Sequence, residues 1–279
     1  MSLAIAGIGW VTPLGTGIGS VWERLLNGEE ASATAISEDF ADRVYSVFRV
    51  PEAAMKDLAH PRLRRASAIS RFAAVAGLDA LKSAGLKVDA QTAERIALIF
   101  AISNGGVIYT KRFYREIVSA GAHTASPLLF PETVFNAPAS HVAAILGVTG
   151  ATYTLVGDGA VGLAAINMAN ELMKNEALDY CLVVGTEEVD WVLCDAYRRW
   201  RLLRAEPPIE PYSDQNRGMI LSEGAGAVLL ARAGLVNIER AHPGGYFFKR
   251  SEAEKILKII LRDLREGEID FVISSANGT

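Results

Sequence analysis

The segment from Ala151 to Gly162 constrains the fold of this chain more than any other segment. It reads as a β-rich run, a tight glycine turn and the start of an apolar helix. A turn between a strand and a helix exposes its central residue at the carboxyl edge of a sheet, beside helix N–H groups that can hold an anion. Catalytic Ser or Cys residues favour such turns. Here the turn is Gly157-Asp158-Gly159, which offers neither a thiol nor a hydroxyl.

Strands and helices alternate along the chain, and this alternation favours an α/β fold. Short apolar runs predict strands over 3–10, 95–102, 153–156, 180–184 and 225–231. Helical spacing of apolar residues predicts helices over 20–26, 64–84, 132–146 and 160–174, the third with a kink near Pro138.

Composition excludes several classes of protein. Half of the 279 residues are hydrophobic, which is enough for a sizeable core. Charged residues interrupt the apolar runs before ~18 residues, so no transmembrane span is expected. The N-terminus lacks the pattern of a secretory signal, and two cysteines make no disulfide framework, so a reducing, cytoplasmic setting is expected. A net charge of −4 argues against a general nucleic-acid binder.

Five blocks that follow one another along the chain carry a family resemblance: 4–15, 139–150, 184–188, 211–218 and 222–227. Together they resemble the β-ketoacyl synthases, the condensing enzymes of fatty acid and polyketide synthesis. The resemblance places the nucleophilic Cys of that family at Gly159. It places the first catalytic His at Asn277, in the block Ala-Asn-Gly-Thr at 276–279. Neither residue can perform the family chemistry, because glycine has no side chain and asparagine is not an acid or base near neutral pH.

The paired loss at Gly159 and Asn277 predicts a chain that is inactive alone and has no intact catalytic residue. The resemblance implies a non-catalytic partner of the chain-length-factor type, paired with an active ketosynthase. In the turn, Asp158 and Gly159 are left as an oxyanion site, or Asp158 as a helix N-cap. An atypical acyltransferase or malonyl decarboxylase is the alternative within the same family.

The resemblance also implies the thiolase-like fold, a layered αβαβα sandwich built from two related halves. The chain itself contains a matching echo, because 71–106 and 251–279 both read as helix, loop, apolar strand and an Asn-Gly block. We therefore expect one domain over 1–279. Its first half would span 1–234, and 235–279 would begin a second half that is truncated.

A dinucleotide-binding protein is a further alternative for the same turn. Residues 157–162 match G-x-G-x-x-G, with Glu187 or Glu188 as the acid for the ribose. The motif lies in the middle of the chain, whereas in the dinucleotide fold it follows the first strand. No cofactor is expected under the first hypothesis, and no metal-ligand spacing is present.

Two groups of arginines suggest an anionic partner. The resemblance implies that this partner is an acyl carrier protein, which is acidic. A solvated surface with ion pairs inside the chain explains them equally well. The candidate docking residues are Arg62, Arg64, Arg65, Arg198, Arg199, Arg201 and Arg204.

A dimer interface is expected at the helix and strand that precede the glycine turn, either with an active ketosynthase or with a second copy of this chain. This segment is more apolar than one helix face requires, and a helix in the core of a single chain is the alternative. The candidate interface residues are Val134, Phe135, Val142, Ile145 and Tyr153.

The other chemically active residues are given structural roles. Cys181 and Cys194 are predicted to lie in the core, and His141 is predicted to be partly buried on its helix. Glu187 and Glu223 are predicted to form hydrogen bonds at the sheet edge.

Overall fold

The computed structural model describes residues 3–55, 60–64, 66–212, 218–242, 244–264, 270, 271 and 273. The strands are β1 (Leu3–Thr12), β2 (Gly15–Thr16), β3 (Ala33–Glu38), β4 (Ala41–Phe48), β5 (Ile96–Ile102), β6 (Thr152–Val156), β7 (Tyr180–Glu187), β8 (Leu221–Ser222), β9 (Gly224–Ala231) and β10 (Val236–Ile238). The helices are α1 (Ile18–Leu26), α2 (Ala68–Ser83), α3 (Val107–Ala120), α4 (Ala137–Leu146), α5 (Val161–Leu172), α6 (Trp191–Arg199) and α7 (Arg250–Leu264).

The main sheet has the strand order β10-β1-β9-β7-β5-β6, and β2 pairs with β1. Strands β7, β5 and β6 are parallel, whereas β1 and β9 run antiparallel to their neighbours. The carboxyl ends of the three parallel strands therefore meet at one edge of the sheet, which is where α/β proteins bind ligands. Strand β10 still belongs to this sheet, although it lies beyond the expected end of the first half at residue 234.

One face of the main sheet is covered by α2 and α4. Every residue of β5 is buried, and alternate ones, such as Leu98 and Phe100, pack with Phe72 of α2 and Val142 of α4. A strand buried on both faces is typical of the parallel part of an α/β sheet. Helix α2 lies so close to β1 that a Cβ at Gly9 would collide with the helix backbone.

The opposite face of the sheet is covered by α5. Ala165 and Ala169 of this helix pack against Ile99 of β5, Val183 of β7 and Leu230 of β9. The described chain is thus layered as helix, sheet and helix. This arrangement confirms the α/β expectation and orients the turn before α5 toward the carboxyl edge of the sheet.

A smaller sheet, β3-β4-β8, lies beside the main one with α6 packed against its first strand. Val47 of β4, Val189 and Cys194 of α6 form its small core. The sequence patterns did not predict the β3–β4 hairpin, α3 or α6. These elements are short or amphipathic and mostly polar, so their apolar positions are too few to give a clear period.

Three predicted elements differ from the structure. Helix α4 begins at Ala137, after a separate 3-10 turn at Phe130–Thr133, and Pro138 lies in its first turn, so the predicted kink is wrong. Proline is tolerated there because the first N–H groups of a helix have no partner within it. The helix expected over 64–84 begins at Ala68, where Ser67 caps it. Phe271 and Ile273 lie outside any strand and are exposed, while Val272 is not among the described residues.

No helix in the described part of the chain is long and apolar enough to cross a membrane.

Candidate functional site

The glycine turn lies between the end of β6 and the start of α5, as the sequence predicts. The Gly157 N–H donates to the Ile102 carbonyl at 3.1 Å, and the Val161 N–H donates to the Asp158 carbonyl at 3.0 Å. A Cβ built on Gly159 meets no atom of the described residues within 4 Å, and the Gly159 backbone is not left-handed. The turn therefore has room for a side chain such as that of cysteine, and its conformation does not require glycine at position 159.

Asp158 shapes the turn but is not the N-cap of α5, so that prediction is wrong. Its carboxylate accepts the N–H of Ala160, two residues ahead, at 2.9 Å. Ala160 itself occupies the N-cap position and has no side-chain cap. A hydrogen bond from a residue to the backbone two residues on is an Asx turn. One carboxylate oxygen of Asp158 is thus bound to the backbone of its own turn, and the side chain is exposed.

The ends of β5 and β7 lie beside the turn and hold it in place. The Ser103 hydroxyl donates to the Asp158 carbonyl at 3.3 Å. The Glu187 carboxylate accepts the Ser103 N–H, and also the backbone and side-chain N–H groups of Asn104 at 3.3 Å and 3.2 Å. Burial raises the pKa of Glu187, and the three hydrogen bonds act against that rise. Ser103 is not among the site residues predicted from the sequence, although it directly follows the strand predicted over 95–102.

Glu188 is the most deeply buried acid of the site, with 2% of its surface exposed. One carboxylate oxygen accepts the Ile108 N–H at 3.1 Å, at the start of α3. The other oxygen is buried and has no hydrogen-bond partner among the described residues. The pKa of Glu188 is raised to about 7, mainly by burial and in smaller part by the carboxylates of Glu223 and Asp190. Consecutive glutamates at the end of β7 therefore hold the whole loop between β5 and α3.

These contacts weaken the dinucleotide hypothesis. Both carboxylates that could bind a ribose are engaged with the loop at 103–108, and Glu188 is buried while Glu187 is half-buried. Glu223 accepts the Val50 N–H at 3.1 Å and the Val189 N–H at 3.5 Å. The predicted hydrogen-bonding role of Glu187 and Glu223 at the sheet edge is confirmed.

Neither cysteine can replace the thiol that the turn lacks. Cys181 lies in β7 with no exposed surface, and burial raises its pKa to about 12. Cys194 is equally buried in α6, and burial raises its pKa to about 11. A thiol attacks only as its thiolate, so both side chains are inert at neutral pH. The core placement predicted for both cysteines is confirmed.

His141 lies partly buried on α4, as predicted. Its Nε2 and an oxygen of Glu132 are 2.8 Å apart, whereas its Nδ1 is buried with no partner among the described residues. Within that part of the chain, no group of three or more His, Cys, Asp or Glu residues has the geometry to hold a metal ion.

The two arginine groups lie in different parts of the fold. Arg62 is exposed on a 3-10 turn, Pro61–Arg64, that contacts α4. Arg65 lies outside the described residues, and the side chain of Arg64 is not described. Arg198 and Arg199 are on α6 beside the β3–β4 hairpin, and both pair with Asp195.

A groove of about 560 Å³ next to α6 adds one arginine that the sequence did not suggest. Arg43 of β4 lines this groove together with Arg198 and Arg199. Arg201 follows α6 with a left-handed φ of 60°, and the Arg204 side chain donates to the Glu206 carbonyl at 2.8 Å.

The predicted interface residues divide into exposed and buried ones. Val134, Phe135 and Tyr153 are 42%, 47% and 38% exposed. Val142 has no exposed surface and packs against α2, and Ile145 also packs on that core. Placing Val142 at an interface is therefore wrong, because α4 turns that face toward its own sheet.

Only β5 pairs with β6 among the described strands, so β6 is a free edge.

Residues 2–234 match the family model described as β-ketoacyl synthase, N-terminal domain. Nodulation protein E of Rhizobium leguminosarum bv. trifolii is 28% identical to this chain over 230 residues. The 3-oxoacyl-[acyl-carrier-protein] synthase 2 of Vibrio cholerae serotype O1 is 24% identical over 241 residues. Each alignment covers 82% of this chain and 57% of the relative, so the chain spans little more than half of their length.

A solved structure, described as the ishigamide ketosynthase/chain length factor, matches with a TM-score of 0.79 at 19% identity. The match covers 99% of this chain and 75% of that chain. At this identity the match concerns the fold, and it confirms the predicted thiolase-like architecture.

Proposed function

We propose a function from one premise: the chain belongs to the β-ketoacyl synthase family, whose N-terminal model matches residues 2–234. We infer that it acts in fatty acid or polyketide synthesis as a subunit that does not itself form a covalent acyl intermediate. The observation that carries this proposal is the turn at Gly159, which has room for a side chain but bears none. A condensing enzyme needs a nucleophile to hold the acyl chain while the new bond forms.

The surroundings of the turn support the proposal, because they offer no substitute. Asp158 bonds the backbone of the turn through one oxygen of its exposed carboxylate, and Glu187 accepts hydrogen bonds from the loop at 103–104. The thiols of Cys181 and Cys194 are buried, with raised pKa values. Asn277, at the position of the first family histidine, lies outside the described residues, so its part in the proposal depends on the sequence alone.

A partner of the chain-length-factor type fits the exposed edge at β6. An edge strand presents unpaired backbone groups that can continue a sheet into another chain. Tyr153 and Val156 of β6 are exposed, and so are Val134 and Phe135 just before α4. We therefore propose that an active ketosynthase, or a second copy of this chain, pairs along β6. One structural neighbour is described as a ketosynthase/chain length factor, which accords with this proposal.

We also propose that acyl carrier protein docks near the groove lined by Arg43, Arg198 and Arg199. Three guanidinium groups around one depression attract an acidic partner by long-range electrostatics. Asp42 also lines the groove, and Asp195 pairs with Arg198 and Arg199, so two carboxylates offset two of the three positive charges and leave the groove weakly basic. A cytoplasmic location, and one domain over 1–279 whose first half ends at residue 234, remain parts of the same proposal.

The test is an incubation of the purified chain with acyl and malonyl carrier protein, followed by intact-mass spectrometry. We expect no acyl group on this chain, and no carbon dioxide release above that of a heat-denatured sample. In the presence of an active ketosynthase partner, we expect the two chains to co-purify and the length of the product to change.

Acylation of this chain alone would favour the alternative of an atypical acyltransferase. Loss of that acylation in Ser103→Ala or Cys194→Ser would identify the acceptor and overturn the proposal. A malonyl decarboxylase would instead release carbon dioxide without any acylated chain.

A further inference from the structure

Helix α3 and the loop that follows it, residues 107–128, share little apolar packing with the rest of the fold. Among the 14 residues of α3, all of them described, only Phe113 is buried. Its ring lies 5.9 Å from the ring of Phe130, in the 3-10 turn that follows, rather than in the core on either face of the main sheet. A helix with so little buried apolar surface opens at a lower free energy than the core does.

The start of α3 is held by an acid from another element. The Glu188 carboxylate accepts the Ile108 N–H at 3.1 Å, and it takes the place of a cap, because Gly106 at the N-cap position has no side chain. The helix follows Gly105, which has a left-handed φ of 68°. Glycine adopts such angles freely, so this position can act as a hinge.

A second attachment of α3 is ionic. The Lys111 ammonium pairs with the carboxylate of Asp190 at 2.5 Å and with that of Glu38. Arg115 approaches Glu38 at 3.8 Å. Glu38 ends β3 and Asp190 caps α6, so these pairs join α3 to the smaller sheet. The attachments of α3 are therefore sensitive to charge, as apolar packing would not be.

Glu188 is surrounded mainly by other acids. The titratable and charged groups that face it come from several elements of the fold: Glu187 of β7, Asp190 before α6, Glu223 before β9 with Arg49 and Arg71 near it, and Tyr109 of α3. Burial and the neighbouring carboxylates oppose the ionisation of Glu188, whereas the Ile108 N–H favours it, and the pKa is raised to about 7.

We propose that residues 107–128 form a flap that closes over Glu188 while this carboxyl is protonated and opens when it ionises. When α3 moves away about Gly105, water reaches the carboxyl, and its pKa returns toward the ordinary 4.5. Opening therefore releases a proton, so a rise in pH from 4.5 to 7 favours the open form, and above pH 7 the balance is constant.

The flap borders the glycine turn, because Ser103, at the foot of the hinge, donates to the Asp158 carbonyl. Opening thus widens the approach to the turn. The inference does not depend on the function proposed for the chain, because it uses neither the missing nucleophile nor the edge at β6.

Native-state hydrogen exchange with mass spectrometry measures the opening of α3 in the full chain. Peptides from α3 and α2 are compared at pH 5, 6, 7 and 8, with and without low urea, after correction for the intrinsic exchange rate. We expect α3 to exchange faster than α2 and to respond weakly to urea, since a local opening exposes little surface. From pH 5 to 8 the protection of α3 should fall by a factor on the order of tenfold to a hundredfold.

Two variants separate the attachments. Glu188→Gln keeps an acceptor for the Ile108 N–H but has no proton to lose, so the protection of α3 should lose this dependence on pH. Lys111→Met should lower the protection at every pH and leave the pH dependence as it is. Lys174→Met removes an exposed pair with Glu171 and is the matched control, which should leave α3 unchanged.

Two results would overturn the proposal. Equal protection of α3 and α2, with the same response to urea, would show that α3 opens only when the whole chain unfolds. A fall in protection with pH that persists in Glu188→Gln would show that another group controls the opening. If circular dichroism shows that Glu188→Gln is unfolded, Glu188→Met serves instead, because it also has no titrating group and is of similar length.

Discussion

The buried carboxyl of Glu188 makes the stability of this fold depend on pH in a direction that can be calculated. Its pKa is raised from the ordinary 4.5 to about 7, mainly by burial and in smaller part by nearby carboxylates. The folded chain therefore holds this proton more tightly than the unfolded chain. Each pKa unit corresponds to about 1.4 kcal/mol, so the difference is worth about 3 kcal/mol.

The sign follows from which state binds the proton. Below pH 4.5 the carboxyl is protonated in both states and the folded form carries no penalty. As the pH rises from 4.5 through 7, only the unfolded chain gains from ionisation, so the free energy of unfolding falls by up to about 3 kcal/mol. Above pH 7 this contribution is constant. Glu187 and Glu223 act in the same direction, because burial raises their pKa values too.

Replacement by Gln removes the ionisation but keeps an oxygen that can accept the Ile108 N–H. We expect Glu188→Gln to match the native chain near pH 5 and to exceed its free energy of unfolding by up to about 3 kcal/mol at pH 8. Urea unfolding followed by circular dichroism at pH 5, 6, 7 and 8 measures the free energy of unfolding of the variant and of the native chain. Glu30→Gln, an exposed site, is the matched control and should leave the curve unchanged. If the free energy of unfolding of Glu188→Gln falls with pH as much as that of the native chain, the fall does not come from Glu188 and the reasoning is refuted.

Three further outcomes are expected. Gly159→Cys should fold normally and become alkylated by iodoacetamide, yet not condense acyl and malonyl carrier protein on its own; elongation by this variant would contradict the argument. Cys181 and Cys194 should not react with a thiol reagent in the native chain, so a titration that finds either of them reactive before denaturant is added would show that the core is open. The native chain should form a dimer in light scattering, and Tyr153→Lys should make it monomeric while its circular dichroism remains that of a folded chain. Val142→Arg should unfold the chain instead, since it buries a charge in the core; a monomeric native chain would reject the interface.

Much of the fold could be predicted from local patterns. The apolar runs of β5 and β7 and the period of α2 depend on residues that are close in sequence, so hydrophobic periodicity identified them. The sequence patterns do not predict the hairpin β3–β4, because its strands are mostly exposed and the alternation of apolar and polar residues in them is weak. Helix α4 was placed too early, since the preceding 3-10 turn has a similar composition.

The candidate site, too, can be predicted from the sequence only in part. The absence of a nucleophile at Gly159 is a property of the sequence, and so is the order of the family blocks around it. The clamp that Glu187 and Glu188 form on the loop after β5 brings together residues about 80 positions apart. No local pattern encodes such a contact, because it depends on which strands become neighbours in the sheet.

Periodicity and residue type are local properties, so the sequence alone is enough to predict the alternating strands and helices and to show that position 159 carries no nucleophile. Which apolar residues stay exposed depends on packing: Val142 and Tyr153 are both candidate interface residues in the sequence, yet Val142 packs against α2 and Tyr153 lies on the edge strand β6. Packing also decides the state of the acids, because the pKa of Glu188 depends on how much water the packed chain excludes from its carboxyl.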